Sequence, residues 1–135
     1  APDVLVDPQR LAQEAALLRR LGVRVIGDDE IARIGVEAAL RSAMEIVRRG
    51  TIGFGVSLDL DAIDPVDAPG VGTPVAGGIP ARALSAALEG IGRQPGFVGL
   101  ELVEYNPDRD RDGRTARIAV DLARGVFRIK SGHHA

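Results

Sequence analysis

Cysteine is absent from the 135 residues. With it go disulfides, zinc–thiolate centres and thiol nucleophiles, as befits a reducing compartment. Tryptophan is absent too, and aromatic residues make up 3% of the chain, leaving few platforms on which bases could stack. The formal charge of −2 comes from interspersed signs without a basic patch, so no nucleic-acid partner is expected. No apolar run is long enough to span a bilayer, and no membrane partner is expected. The opening Ala1-Pro2-Asp3-Val4 lacks the charged-then-apolar layout of a signal peptide and fits a start within a longer polypeptide. Histidine occurs only as His133 and His134, in a small polar tail that reads as a solvated end. The 45% hydrophobic and 27% charged residues that are present describe a soluble globular chain, read as a single segment over 1–135.

The informative stretch runs from Gly53 to Gly78, G-F-G-V-S-L-D-L-D-A-I-D-P-V-D-A-P-G-V-G-T-P-V-A-G-G. Ile52, Phe54, Val56, Leu58 and Leu60 have the spacing and length of a strand buried on both faces, expected over 52–61. Asp59 and Asp61 fall near its end, and strand alternation would aim both carboxylates at one point. Their mutual repulsion calls for a cation or a shared proton, and a hard divalent metal is the natural counter-charge. Asp64-Pro65 turns the chain, and the glycines and prolines up to Gly78 build a stiff loop that could wall a small pocket.

Elsewhere helical and strand patterns alternate. Asp7-Pro8 reads as N-cap and first helical residue, followed by an apolar stripe of Leu11, Ala15, Leu17, Leu18 and Leu21 up to Gly22. Val23 to Ile26 reads as a short strand, Ile31 to Ile34 as a brief helical piece, and Val36 to Arg49 as a long helix with Val36, Leu40, Met44 and Val47 inward. Pro80 opens a helix that carries Leu84, Leu88 and Ile91 on one face. Phe97 to Tyr105 is a further strand holding Glu101 and Glu104, and Asn106-Pro107 stops it. Asp108 to Arg114 alternates in sign as solvated loops do, and Thr115 to Arg128 is a last helix burying Ile118, Ala119, Leu122 and Val126. Alternating strands and helices imply an α/β fold, a mostly parallel sheet in three αβα layers, with active-site residues at the C-terminal ends of the strands.

The string S-x-D-x-D-x-x-D-P, followed by P-G-x-G-T-P-x-x-G-G, resembles the second metal-binding signature of the ureohydrolase family, which includes arginase and agmatinase. The similarity spans nearly the whole chain but only the C-terminal half of an arginase-like fold. Its upstream G-G-D-H and D-A-H-x-D segments, and its upstream histidine proton shuttle, are absent here. The resemblance implies that Asp59 and Asp61 are ligands of two Mn2+ ions in the complete enzyme. It implies that Glu104, in E-Y-N-P, holds the substrate guanidinium and that Thr73, in G-T-P, lines the substrate pocket; Asp64 is expected to form the turn. The chemistry so implied is hydrolysis of L-arginine to ornithine and urea through a metal-activated hydroxide.

E-Y-N-P, P-G-V-G-T-P and D-R-D-G-R-T-A (Asp110 to Ala116) look more like arginase than agmatinase. Agmatinase, another guanidino-acid ureohydrolase, and a non-catalytic arginase-like assembly partner are the alternatives. The expected partners are a small guanidino substrate, the missing N-terminal half of the fold, and further copies in a trimer or hexamer. The expected location is cytoplasmic. With only two ligands in hand, the segment alone is expected to be inactive, with no complete catalytic set.

Overall fold

The computed structural model describes residues 8–128. Asp7, His133, His134 and the side chain of Leu11 lie outside the described residues. The elements in chain order are α1 (Pro8–Arg20), α2 (Asp28–Ile34), α3 (Val36–Val47), β1 (Phe54–Asp59), α4 (Ala81–Leu88), β2 (Phe97–Val103) and α5 (Arg114–Phe127). One-turn 3-10 helices at Leu60–Ala62 and Ile91–Arg93 follow β1 and α4. The helix ends suit the macrodipole: Asp28, Asp29 and Glu30 open α2, and Arg19 and Arg20 close α1.

β1 and β2 pair in parallel, with Val56 beside Leu100, Ser57 beside Glu101 and Leu58 beside Leu102. The crossover between them carries α4, as a parallel pair requires. The expected α/β class with a parallel sheet is what the chain adopts. One sheet face meets the core, where Phe54, Leu58, Leu60 and Ile63 are buried with Leu84 and Leu88 of α4 and Leu122 and Val126 of α5. Val36, Leu40 and Met44 of α3 pack against this cluster, so Met44 is core as its helical spacing implied. The chain's three phenylalanines also meet: Phe97 stands edge-on to both Phe54 and Phe127, with centroids 5.8 Å apart in each pair.

Several expectations are corrected. β1 is not buried on both faces, because Gly55, Ser57 and Asp59 are exposed on the side away from the core. It is also shorter than 52–61: Ile52 precedes it, fully exposed, and Asp61 falls in the 3-10 turn after it. Val23 to Ile26 joins no sheet among the described residues, and Val23 and Val25 are exposed. A strand needs a neighbouring strand for its ladder, and here the Val23 N–H instead bonds Leu18 O at the end of α1, while Val25 O takes the Arg24 side chain. The stripe of α1 is likewise uncovered at Leu17 and Leu21. Ile91 leaves the face of α4, because Gly90 takes a left-handed conformation that ends the helix before it.

Candidate active site

Asp59 is the last residue of β1 and Glu104 the first after β2, so two adjacent parallel strands deliver carboxylates to the same end of the sheet. At that end the chain between the strands returns as the loop 70–78. Thr73 lies in it, and its main-chain N–H donates to both oxygens of Asp61, at 3.1 and 3.0 Å. Asp61 in turn donates its own N–H to Asp59 Oδ1 at 2.8 Å. The two aspartates are therefore related by a turn, with Asp59 capping it, rather than by the strand pleat expected from their spacing.

Glu104 leaves the strand with φ of 65°, a left-handed conformation rare for a residue with a side chain. Its carboxylate makes no hydrogen bond or ion pair among the described residues, and it lies over Gly72. A Cβ built at Gly72 would stand 2.5 Å from Glu104 Oε2 and 3.9 Å from Asp61 Oδ1. Glycine lets the loop backbone pass directly beneath the Glu104 carboxylate, which a Cβ would push aside, with the Asp61 carboxylate close by. Such a group costs folding strain and contributes no bond to it, a pattern common at functional sites. Beside Asp61 a depression of about 450 Å³ is lined by Ile31 of α2 and by Val75, Gly77 and Ile79 of the loop.

Thr73 thus contributes its backbone, and its residue is exposed. Asp64 forms the expected turn, accepting from Val66 N–H at 2.9 Å, and its other oxygen takes the N–H of Gly77 at 3.0 Å. Glu101 points away from this constellation and accepts from Ser57 Oγ at 2.6 Å on the exposed sheet face.

The run Asp108 to Arg114 is largely exposed, as expected of a solvated loop, except at Asp110, whose role sequence reasoning missed. Asp110 is buried: its Oδ1 accepts the N–H of Thr115, and its Oδ2 accepts the N–H of Ala116 and the hydroxyl of Tyr105, all within 3.1 Å. Burial alone would raise its pKa, but the donors of Ala116, Thr115 and Tyr105 outweigh it and hold the carboxyl below the ordinary range. Partial burial, and then the bond to Asp110, push the Tyr105 hydroxyl above its ordinary value. Thr115, fully buried, accepts the N–H of Gly70 at 2.8 Å, and Gly70 O accepts from Asn106 N–H. Arg109 does not pair with Glu104; its Nη1 donates to the carbonyls of Gly72, at 2.7 Å, and Val71, at 3.3 Å. The signal for this clasp was an aspartate just before a helix start, where orphan N–H groups need an acceptor.

In kind, the oxygens of Asp59 and Asp61 suit a hard divalent cation. In number they do not enclose one, since no group of three or more His, Cys, Asp or Glu side chains able to hold a metal occurs among the described residues.

The family model described as the Arginase family matches residues 6–128. An arginase of Brevibacillus brevis is 42% identical over 125 residues, covering 92% of this chain and 42% of that protein. A guanidinopropionase of Pseudomonas aeruginosa is 35% identical over 129 residues, covering 87% of this chain and 40% of its own length. The solved structure of the arginase of Bacillus caldovelox superposes with a TM-score of 0.80 at 35% identity, covering 88% of this chain and 40% of that one. Fold and sequence agree, and the chain belongs to the arginase family, whose relatives named here are hydrolases of amidine C–N bonds. It spans about two fifths of the length of each relative.

Proposed function

We propose that this chain is the part of a manganese-dependent amidino hydrolase that presents Asp59 and Asp61 to the metal and Glu104 to the substrate, with L-arginine the substrate and ornithine and urea the products. The observation that carries the reading is the convergence of Asp61 and Glu104 on Gly72 at the C-terminal end of two parallel strands. Glu104 is unengaged, and a planar guanidinium that keeps its charge is well matched to a free carboxylate. Thr73 fixes Asp61 through its N–H, and its exposed side chain is proposed to face the substrate. Manganese, when bound, supplies the Lewis acidity that activates water at neutral pH. The remaining ligands come from a further part of an arginase fold, in the same polypeptide or another, which would also cover the open sheet face. A homo-oligomer, trimer or hexamer, and a cytoplasmic location belong to the same reading; no helix among the described residues is long and apolar enough to cross a membrane.

The guanidinopropionase relative favours, as a second reading, a guanidino acid other than arginine. The test is product release by the assembled enzyme from arginine, agmatine and guanidino acids compared side by side. Turnover of arginine first supports the proposal, preference for another guanidino acid transfers it to the second reading, and hydrolysis of none leaves a non-catalytic assembly role.

A further inference from the structure

Gly72 joins the two carboxylates of the site, yet among the described residues one hydrogen bond holds it, the one from Arg109 Nη1 to its carbonyl. The residues on either side are fixed independently. Gly70 is tied to buried Thr115 and to Asn106, and Val71 is fully buried and bridges to Tyr105. Thr73 is tied to Asp61. Arg109 is itself set by the turn after β2, where its N–H donates to Asn106 O and Asp108 N–H donates to Asn106 Oδ1. It is exposed and has no ion pair among the described residues, so its charge is directed at the loop carbonyls.

We propose that Arg109 is a positioning residue for this site. By holding the Gly72 carbonyl it keeps the loop flat beneath Glu104 and keeps the Thr73 N–H directed at Asp61. Arg109 donates to the loop carbonyls and makes no ion pair with Glu104 among the described residues, so the Glu104 carboxylate stays free for a cationic ligand. This role rests on the reading of Asp61 and Glu104 given above, but its structural half is independent of any turnover.

The test compares Arg109→Gln and Arg109→Lys with the parent. Residue-resolved amide hydrogen exchange in the chain assembled with an upstream half of an arginase fold is the first readout. In Arg109→Gln the Thr73 amide should exchange about tenfold faster, the equivalent of one lost hydrogen bond. The Gly70, Thr115 and Ala116 amides, held by Thr115 and Asp110, should be unchanged. Arg109→Lys, which keeps a charged donor on a longer stem than the neutral glutamine amide, should restore most of the protection. An unchanged Thr73 amide overturns the proposal, and so does equal acceleration of all four amides, which would make Arg109 an ordinary stabiliser of the fold.

The second readout is kinetic. In the assembled enzyme Arg109→Gln should raise KM for the guanidino substrate about tenfold with kcat changed less, again with rescue by lysine. Altered exchange at Thr73 with unaltered KM would refute the link to the substrate. If the assembled parent hydrolyses no guanidino compound, the functional reading fails while the exchange result still decides the structural role.

Discussion

The Thr73 main-chain N–H donates to both carboxylate oxygens of Asp61, across twelve residues of chain. This bond couples the loop 70–78 to the proposed metal ligand. An aspartate so held is oriented before any metal arrives, which lowers the cost of binding. Asp61→Asn should keep the turn and the contact to Thr73 while losing the charge. Its manganese affinity in the assembled enzyme should fall by about 100-fold or more, beyond what loss of a supporting group costs. Elemental analysis after dialysis checks this; retention of the parent's metal content would remove Asp61 from the ligand set.

Glu104→Gln tests the substrate end separately. The amide loses the charge-assisted pair with a guanidinium and sets a donor where an acceptor is needed. The expected loss in kcat/KM is ~2–4 kcal/mol with metal content unchanged. Unaltered kcat/KM would make Glu104 a turn residue.

Two neighbouring glycines should respond differently to alanine. At Gly70 the new Cβ would lie 2.4 Å from Asp110 Cβ and 3.0 Å from its Cα, and backbone must move, so Gly70→Ala should lose ~1–3 kcal/mol of stability by overpacking. At Gly72 the clash is with the movable end of Glu104, so Gly72→Ala should unfold almost as the parent does but weaken guanidino substrates. Urea denaturation and kinetics on the pair decide; equal loss of stability would contradict the assigned geometry.

Asp110 predicts the acid limb of stability. Its folded pKa is below its unfolded value, so its contribution is complete above an unfolded pKa of about 3.9 and is lost as pH falls through the lower folded value. Thermal unfolding should therefore weaken steeply on the acid side of that range, and Asp110→Asn should be less stable at neutral pH with a flatter acid limb. Parallel pH profiles for the two proteins would contradict the clasp.

The open faces predict association. Leu17, Leu21, Val23, Val25 and Ile52 are exposed, and the outer face of the sheet carries Gly55, Ser57 and Asp59 uncovered. The 14.2 kDa chain alone should sediment as aggregates or higher species, and co-expression with an upstream half of an arginase fold should give a defined complex. A stable monomer that ignores the upstream half would refute this.

Apolar periodicity located the helices and both strands, because α3, α4, α5, β1 and β2 each bury one regular face. Val23 to Ile26 misled for the same reason: its pattern suits a sheet position whose neighbour is not among the described residues. Asp59 and Asp61 were legible as a pair, and the 3-10 turn that relates them is closed locally by the Asp59 side chain, but the Thr73 N–H that holds the Asp61 carboxylate comes from twelve residues away, which no local pattern encodes. Asp110 and Arg109 were hidden by alternating charge, which looks the same whether the groups face water or a loop backbone. Their roles become visible only when the 105–116 segment is folded onto Gly70 and Gly72.

The most direct test of the central claim is urea release from arginine by the assembled enzyme in manganese, with Asp61→Ala as the paired control. The account predicts metal-dependent turnover by the parent, loss of both turnover and bound manganese in the control, and none above background from the 135-residue chain by itself. Turnover by the isolated chain, or a control that keeps its metal and its rate, would show that the reaction is built on other residues.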